Sequence, residues 1–162
     1  MEIHKSLSYK VFEIKNKLKP EFSFKPEDEI KHIVNREGRD FITEKVESNI
    51  LSFSGDTPVD DYSKWDGSKV LMHESTFLKN EGNGQIESRG NKHSRIDEVL
   101  KMAKEIEIGT LILNHFSSRY SKEEIDRTVI KLINELKIQI PIFLIYPGEI
   151  KRDILRTKPI NQ

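Results

Sequence analysis

The side chains best suited to chemistry in this sequence are acids and imidazoles that stand just beyond short apolar runs. His115 follows Thr110-Leu111-Ile112-Leu113 and Asn114, a run with no breaker and long enough for a buried strand of about 4–8 residues. Behind it, Phe116-Ser117-Ser118-Arg119-Tyr120 offers hydroxyls and a guanidinium. A strand that ends in such a loop puts polar groups where α/β sheets bind ligands. Asp56 follows Ile50-Leu51-Ser52-Phe53-Ser54-Gly55, where the glycine lets the backbone turn sharply at a strand end. His73-Glu74 follows Lys69 to Met72, and His93 sits in Lys92-His93-Ser94 after a glycine-rich polar stretch, Asn80 to Asn91. His4 lies just ahead of an alternating segment. Each of these also has an ordinary reading. A lone histidine after a strand is more often a hydrogen-bonded structural residue than a metal ligand, a Gly-Asp pair is a common turn, and a histidine near a chain end is solvated.

The elements that must position these groups follow from hydrophobic period. Ser8 to Ile14 reads as a strand, and Ile50 to Phe53 as a short buried one. Pro26 to Val34 predicts a short helix, with Pro near the first turn and acids at its amino end. Asn35 to Asp40 reads as a turn, and His32 as a helix-surface histidine. Ile96, Val99, Leu100, Ala103 and Ile106 recur at spacings of three and four, so Ile96 to Ile108 is an amphipathic helix that packs on a sheet. Gly109 ends it, and Thr110 begins the next strand in the order of a βαβ unit. Ser121-Lys122-Glu123-Glu124 is a capping box for a helix through about Leu136, with Ile125, Val129, Leu132, Ile133 and Leu136 along one face. Ile140 to Tyr146 is a last strand, and the tail Glu149 to Gln162 is expected to add an edge strand.

Bulk properties narrow the classes. The 162 residues suit one domain or half of a larger one. Lysine plus arginine equals aspartate plus glutamate at 27 each, so no global basic field announces nucleic acid. Hydrophobic residues make up 35% and charged residues 33%, which predicts a thin core. Cysteine is absent, so disulfides, thiolate metal sites and cysteine nucleophiles are excluded together. Any metal must be held by His, Asp or Glu. No apolar run approaches the roughly 18–20 residues of a membrane span, and the expectation is a soluble cytoplasmic chain with no membrane partner.

Several words of the sequence together resemble one family. Asn114-His115-Phe116-Ser117-Ser118-Arg119-Tyr120 resembles the HFSxRY segment of ribonuclease Z, the endonuclease of the metallo-β-lactamase superfamily that trims the 3′ trailer from precursor tRNA. Ser54-Gly55-Asp56-Thr57 resembles the SGDT motif of that superfamily. His73-Glu74-Ser75-Thr76-Phe77 is similar to the HEATF motif, with Ser75 in place of alanine, and Lys92-His93-Ser94 is similar to the HST loop. His4 before the first strand, and the connector KLKPEF, EIKHIV and ITEKVES, match in the same order.

The resemblance implies a fold and a set of roles. The fold would be α/β, half of a metallo-β-lactamase αββα sandwich over residues 1–162, with a mixed sheet and helices on one face. Asp56 would bridge two zinc ions, since one carboxylate offers two anionic oxygens to a close pair of cations. His115 and His4 would each complete one ion. Glu74 would orient His93 and keep it protonated to serve the leaving ribose 3′-oxygen. His73 would stay structural, its side chain pointing away from that of Glu74 along a strand. Ser117, Ser118 and Arg119 would contact phosphate.

The family's HxHxDH motif, which supplies most metal ligands and the aspartate that activates water, occurs nowhere in this sequence. A two-metal hydrolase needs enough ligands for both ions and a base for its nucleophile, so the zinc site would be incomplete in this chain. The expectation is a carboxyl-terminal half that acts on precursor tRNA with a separate amino-terminal half-protein or within a homo-oligomer. The alternatives are another phosphodiester hydrolase of the superfamily, or a non-catalytic remnant that binds partner chains.

Overall fold

The computed structural model describes residues 6–78 and 93–162. His4 and the whole of the glycine-rich stretch 80–91 therefore lie outside the described residues. The described strands run in the order β1-β2-β3-β4-β5: β1 Tyr9–Leu18, β2 Thr43–Phe53, β3 Val70–Glu74, β4 Thr110–Asn114 and β5 Ile142–Leu144. The helices are α1 Glu27–Glu37, α2 Arg39–Ile42, α3 Ile96–Glu105 and α4 Lys122–Leu136. The fold is α/β, as expected. The chain divides into two compact units, residues 1–11 with 49–162, and residues 12–48.

In the larger unit β2 pairs with β3, β3 with β4 and β4 with β5, all parallel. Parallel neighbours need crossover connections. Helix α3 makes the crossover between β3 and β4, and α4 the one between β4 and β5. The register sets Leu71 beside Leu111, Glu74 beside Asn114 and Leu113 beside Leu144. Alternate strand residues Leu71, Leu111, Leu113, Ile142 and Leu144 form one core with Ile96, Val99 and Leu100 of α3 and Ile125, Val129 and Ile133 of α4. The spacing predicted these helix stripes. Met102 is fully buried with them, which the spacing reading had not included. Each large aliphatic side chain so buried stabilises the fold by about 1.5–3 kcal/mol. Ser121 caps α4: its side chain accepts from Glu124 N, while the Glu124 carboxylate accepts from Ser121 N.

The smaller unit holds α1, α2, the greater part of β1 and the start of β2. Lys19 N donates to Ile42 O at 2.9 Å, and the rings of Phe22 and Phe41 lie 5.9 Å apart. The expected turn at 35–40 proves to be the junction of two helices, with Gly38 at φ 87° between them.

Other boundaries also differ from the sequence reading: α3 ends at Glu105 rather than Ile108, and β5 covers Ile142–Leu144 rather than Ile140 to Tyr146. β1 continues to Leu18 and β2 begins at Thr43, because charged residues can alternate along a strand that is solvated on both faces, a pattern with no apolar period to read. The tail forms no strand: residues 154–156 make a 3₁₀ turn. Instead, Ile160 N donates to Ile142 O, and the Asn161 side chain accepts from Ile142 N and donates to Ile140 O. One amide side chain thus takes up backbone groups at and just before the start of β5 that an edge strand would otherwise pair.

Candidate metal centre

Parallel pairing brings the carboxyl ends of β2, β3 and β4 to one edge of the sheet, and each of the acidic and imidazole groups of interest lies at or just after one of these ends or, for His93, just before α3. Asp56 is turned out of β2 by Gly55, whose φ of 61° is in the left-handed region and whose added Cβ would sit 2.4 Å from Leu7 O. Only glycine fits there. The following amide, Asp56 N, donates to Ser6 Oγ at 2.8 Å. His115 follows β4 with its own φ at 60°, a left-handed conformation that is uncommon outside glycine although histidine adopts it more often than most residues.

Asp56, His93 and His115 each bring a possible ligand atom to within 4.8 Å of the others. His115 Nε2 is 3.6 Å from Asp56 Oδ1. The rings of His93 and His115 stack, with centroids 5.4 Å apart and planes 24° from parallel. Asp56 and His115 are exposed, and His93 is half-buried. Two imidazoles and a carboxylate are a donor set that suits zinc and similar divalent cations, so the residues present fit such an ion. The sequence reading gave His93 a proton-transfer role, and the structure places it within ligand range as well.

Glu74 lies beneath this cluster and is almost fully buried. One oxygen, Oε1, accepts from Thr57 N at 3.2 Å and Ser94 N at 2.8 Å. The other, Oε2, accepts from Thr76 N at 3.1 Å and Thr76 Oγ1 at 2.7 Å. His93 Nδ1 is 3.4 Å from Oε1, a contact of charge rather than a formed hydrogen bond, and this nitrogen is buried without a hydrogen-bond partner among the described residues. Burial raises the pKa of Glu74, against the hydrogen bonds from Thr76 and Ser94 and the charge of His93. The carboxylate thus ties together the loops after β2 and β3 and the segment leading into α3. Spacing along the chain had not indicated this tie, because its donors are mostly backbone amides.

His73 is fully buried, edge-on to Trp65 at 5.6 Å, with Nδ1 donating to Glu74 O at 2.7 Å. Burial pushes its pKa down to about 4. It is a core residue on the side of β3 away from Glu74, as the alternation of the strand predicted. Ser75, which stands where alanine was expected from the family pattern, is also buried, and its hydroxyl donates to Asn114 O at 3.2 Å.

Ser117, Ser118 and Arg119 lie in the loop after His115. Ser117 N donates to Thr76 O at 3.0 Å, which fastens this loop to the one after β3. Arg119 Nε donates to Ser117 Oγ at 3.0 Å, and its guanidinium lies 5.6 Å from the Phe77 ring centroid and 5.9 Å from that of Tyr120. Ser118 and Arg119 are exposed.

Comparison with known proteins gives the following. No family model matches the sequence. A chloroplastic tRNase Z of Arabidopsis thaliana is 31% identical over 140 residues, 83% of this chain and 39% of that protein. Ribonuclease Z of Bacillus licheniformis is 36% identical over 122 residues, 71% of this chain and 37% of that protein. A second Arabidopsis tRNase Z is 33% identical over 76% of this chain and 45% of its own length. The chain therefore spans less than half of these relatives. Among solved structures, a metallo-β-lactamase fold protein of Bacillus subtilis superposes with a TM-score of 0.47 at 14% identity, covering 90% of this chain and 50% of that one.

Proposed function

Because this chain is related in sequence to ribonuclease Z over most of its own length, we propose that it is the half of a metal-dependent endoribonuclease that removes the 3′ trailer from precursor tRNA. The observation that carries the reading is the meeting of Asp56, His93 and His115 within 4.8 Å at the carboxyl ends of parallel strands. Asp56 and His115 hold zinc, with His4 as a further ligand. A zinc ion held there supplies Lewis acidity toward a phosphoryl oxygen.

The chain's own residues do the rest. His93, supported by the Glu74 charge, gives a proton to the departing ribose 3′-oxygen. Arg119, presented on the exposed loop with Ser117 and Ser118, receives substrate phosphate through charge-assisted hydrogen bonds. The ligands and water-activating aspartate that this sequence lacks come from a segment carrying HxHxDH, on a separate amino-terminal half or another chain, and the assembled enzyme works in the cytoplasm.

The test mixes this chain, zinc and an amino-terminal ribonuclease Z half with precursor tRNA that carries a 3′ trailer, and with a generic phosphodiester. The expected result is cleavage at the trailer junction that needs both halves and is lost in His115→Ala. Preference for the generic ester points to another hydrolase of the superfamily. No bound zinc in the chain or the mixture, with His115→Ala changing nothing, overturns the reading.

A further inference from the structure

The Thr76 hydroxyl stands between two residues of the site. It is 2.7 Å from Glu74 Oε2 and 2.9 Å from His115 Nδ1, and Thr76 is only 8% exposed. A hydroxyl has one proton to give. Both Glu74 oxygens already face donors, namely the backbone amides of Thr57 and Ser94 on one and that of Thr76 on the other. A carboxylate so surrounded is the acceptor in each contact, so the Thr76 proton belongs on Oε2. The threonine oxygen is then left to accept, and the group able to give it a proton is His115 Nδ1. That assigns the ring proton to Nδ1 and leaves the lone pair on Nε2, the nitrogen 3.6 Å from Asp56.

Little else fixes this ring. His115 follows the last residue of β4 in a left-handed backbone conformation, its side chain is about half exposed, and among the described residues its ring otherwise stacks on His93 and lies near Asp56. We propose that Thr76 is a positioning residue, which passes the fixed orientation of Glu74 to His115 and holds that imidazole as the Nδ1–H tautomer with Nε2 open toward Asp56. The metal reading above gives the assignment its use, since a partner on one ring nitrogen sets which nitrogen can bind an ion. The tautomer itself can be measured without any ion.

The experiment uses the full chain, metal-free and ¹⁵N-labelled, at a pH where the ring is neutral. Long-range ¹H–¹⁵N correlation, with signals assigned by their loss in His115→Gln, should show His115 protonated at Nδ1 and bare at Nε2. In Thr76→Val, which keeps the shape and the backbone amide, the ring should move toward the Nε2–H form. Thr76→Ser should restore the original pattern. With zinc alone in a calorimetric titration, Thr76→Val should bind about 10–100-fold more weakly, the range for losing a group that orients a ligand, and Thr76→Ser should recover the affinity. An Nε2–H tautomer in the wild-type chain, or unchanged ring signals in Thr76→Val, overturns the assignment. A wild-type chain that binds no zinc while its ring signals shift as described counts against the metal site and upholds Thr76.

Discussion

His115 Nε2 lies 3.6 Å from Asp56 Oδ1, although the two residues leave different strands and β3 runs between those strands. The spacing is too long for a hydrogen bond and short enough for both atoms to touch one cation. It exists because the strands are parallel, so the ends of β2 and β4 open on the same side.

Asp56→Asn keeps the size of this side chain and removes its charge. Zinc affinity in a calorimetric titration should fall by at least roughly 10–100-fold, the loss expected even for a group one step removed from the ion. Asp56 is exposed, so the denaturation midpoint should change by less than about 0.5 kcal/mol equivalent.

Gly55→Ala attacks the turn that presents this carboxylate. The new Cβ would meet Leu7 O at 2.4 Å in a left-handed backbone, and such strain costs on the order of 1–3 kcal/mol. Urea unfolding should show the loss. An unchanged midpoint would mean that the turn is not built as described.

Acid should weaken the fold through His73. Its folded pKa is pushed down to about 4 from 6.5, so as the pH falls below 6.5 the unfolded chain takes up a proton that the folded chain refuses. This contribution is fully present above pH 6.5 and is lost progressively down to pH 4, by about 3 kcal/mol in total. His73→Leu, compared with its own stability at neutral pH, should lose correspondingly less over that window in denaturant titrations at stepped pH.

Leu113→Ala opens the core directly beneath the site. Leu113 is fully buried between the sheet and its helices, so the variant should lose about 2–5 kcal/mol. Zinc binding measured well below its unfolding transition should persist, because Leu113 points away from the ligand side chains.

Much of this protein was legible one segment at a time. The stripes of α3 and α4, the capping box at Ser121, and the strands that end before Asp56 and His115 and at Glu74 are set by local period and propensity. Neighbours in sequence determine them, and the chain states them openly. The end of β1 beyond Ile14 and the start of β2 were hidden, because their exposed faces carry no apolar alternation, and the tail was misread because an asparagine side chain can replace a strand's backbone pairing.

The amino-acid sequence by itself determined which residues could bind a cation and which elements would carry them. Only the tertiary structure decided their relations: the His93 ring against His115, four donors on the Glu74 carboxylate, and Thr76 between Glu74 and His115. Most of those contacts join residues far apart along the chain, and they depend on the parallel register that sets Glu74 beside Asn114. No local pattern encodes that register, because packing of the whole sheet against its helices selects it.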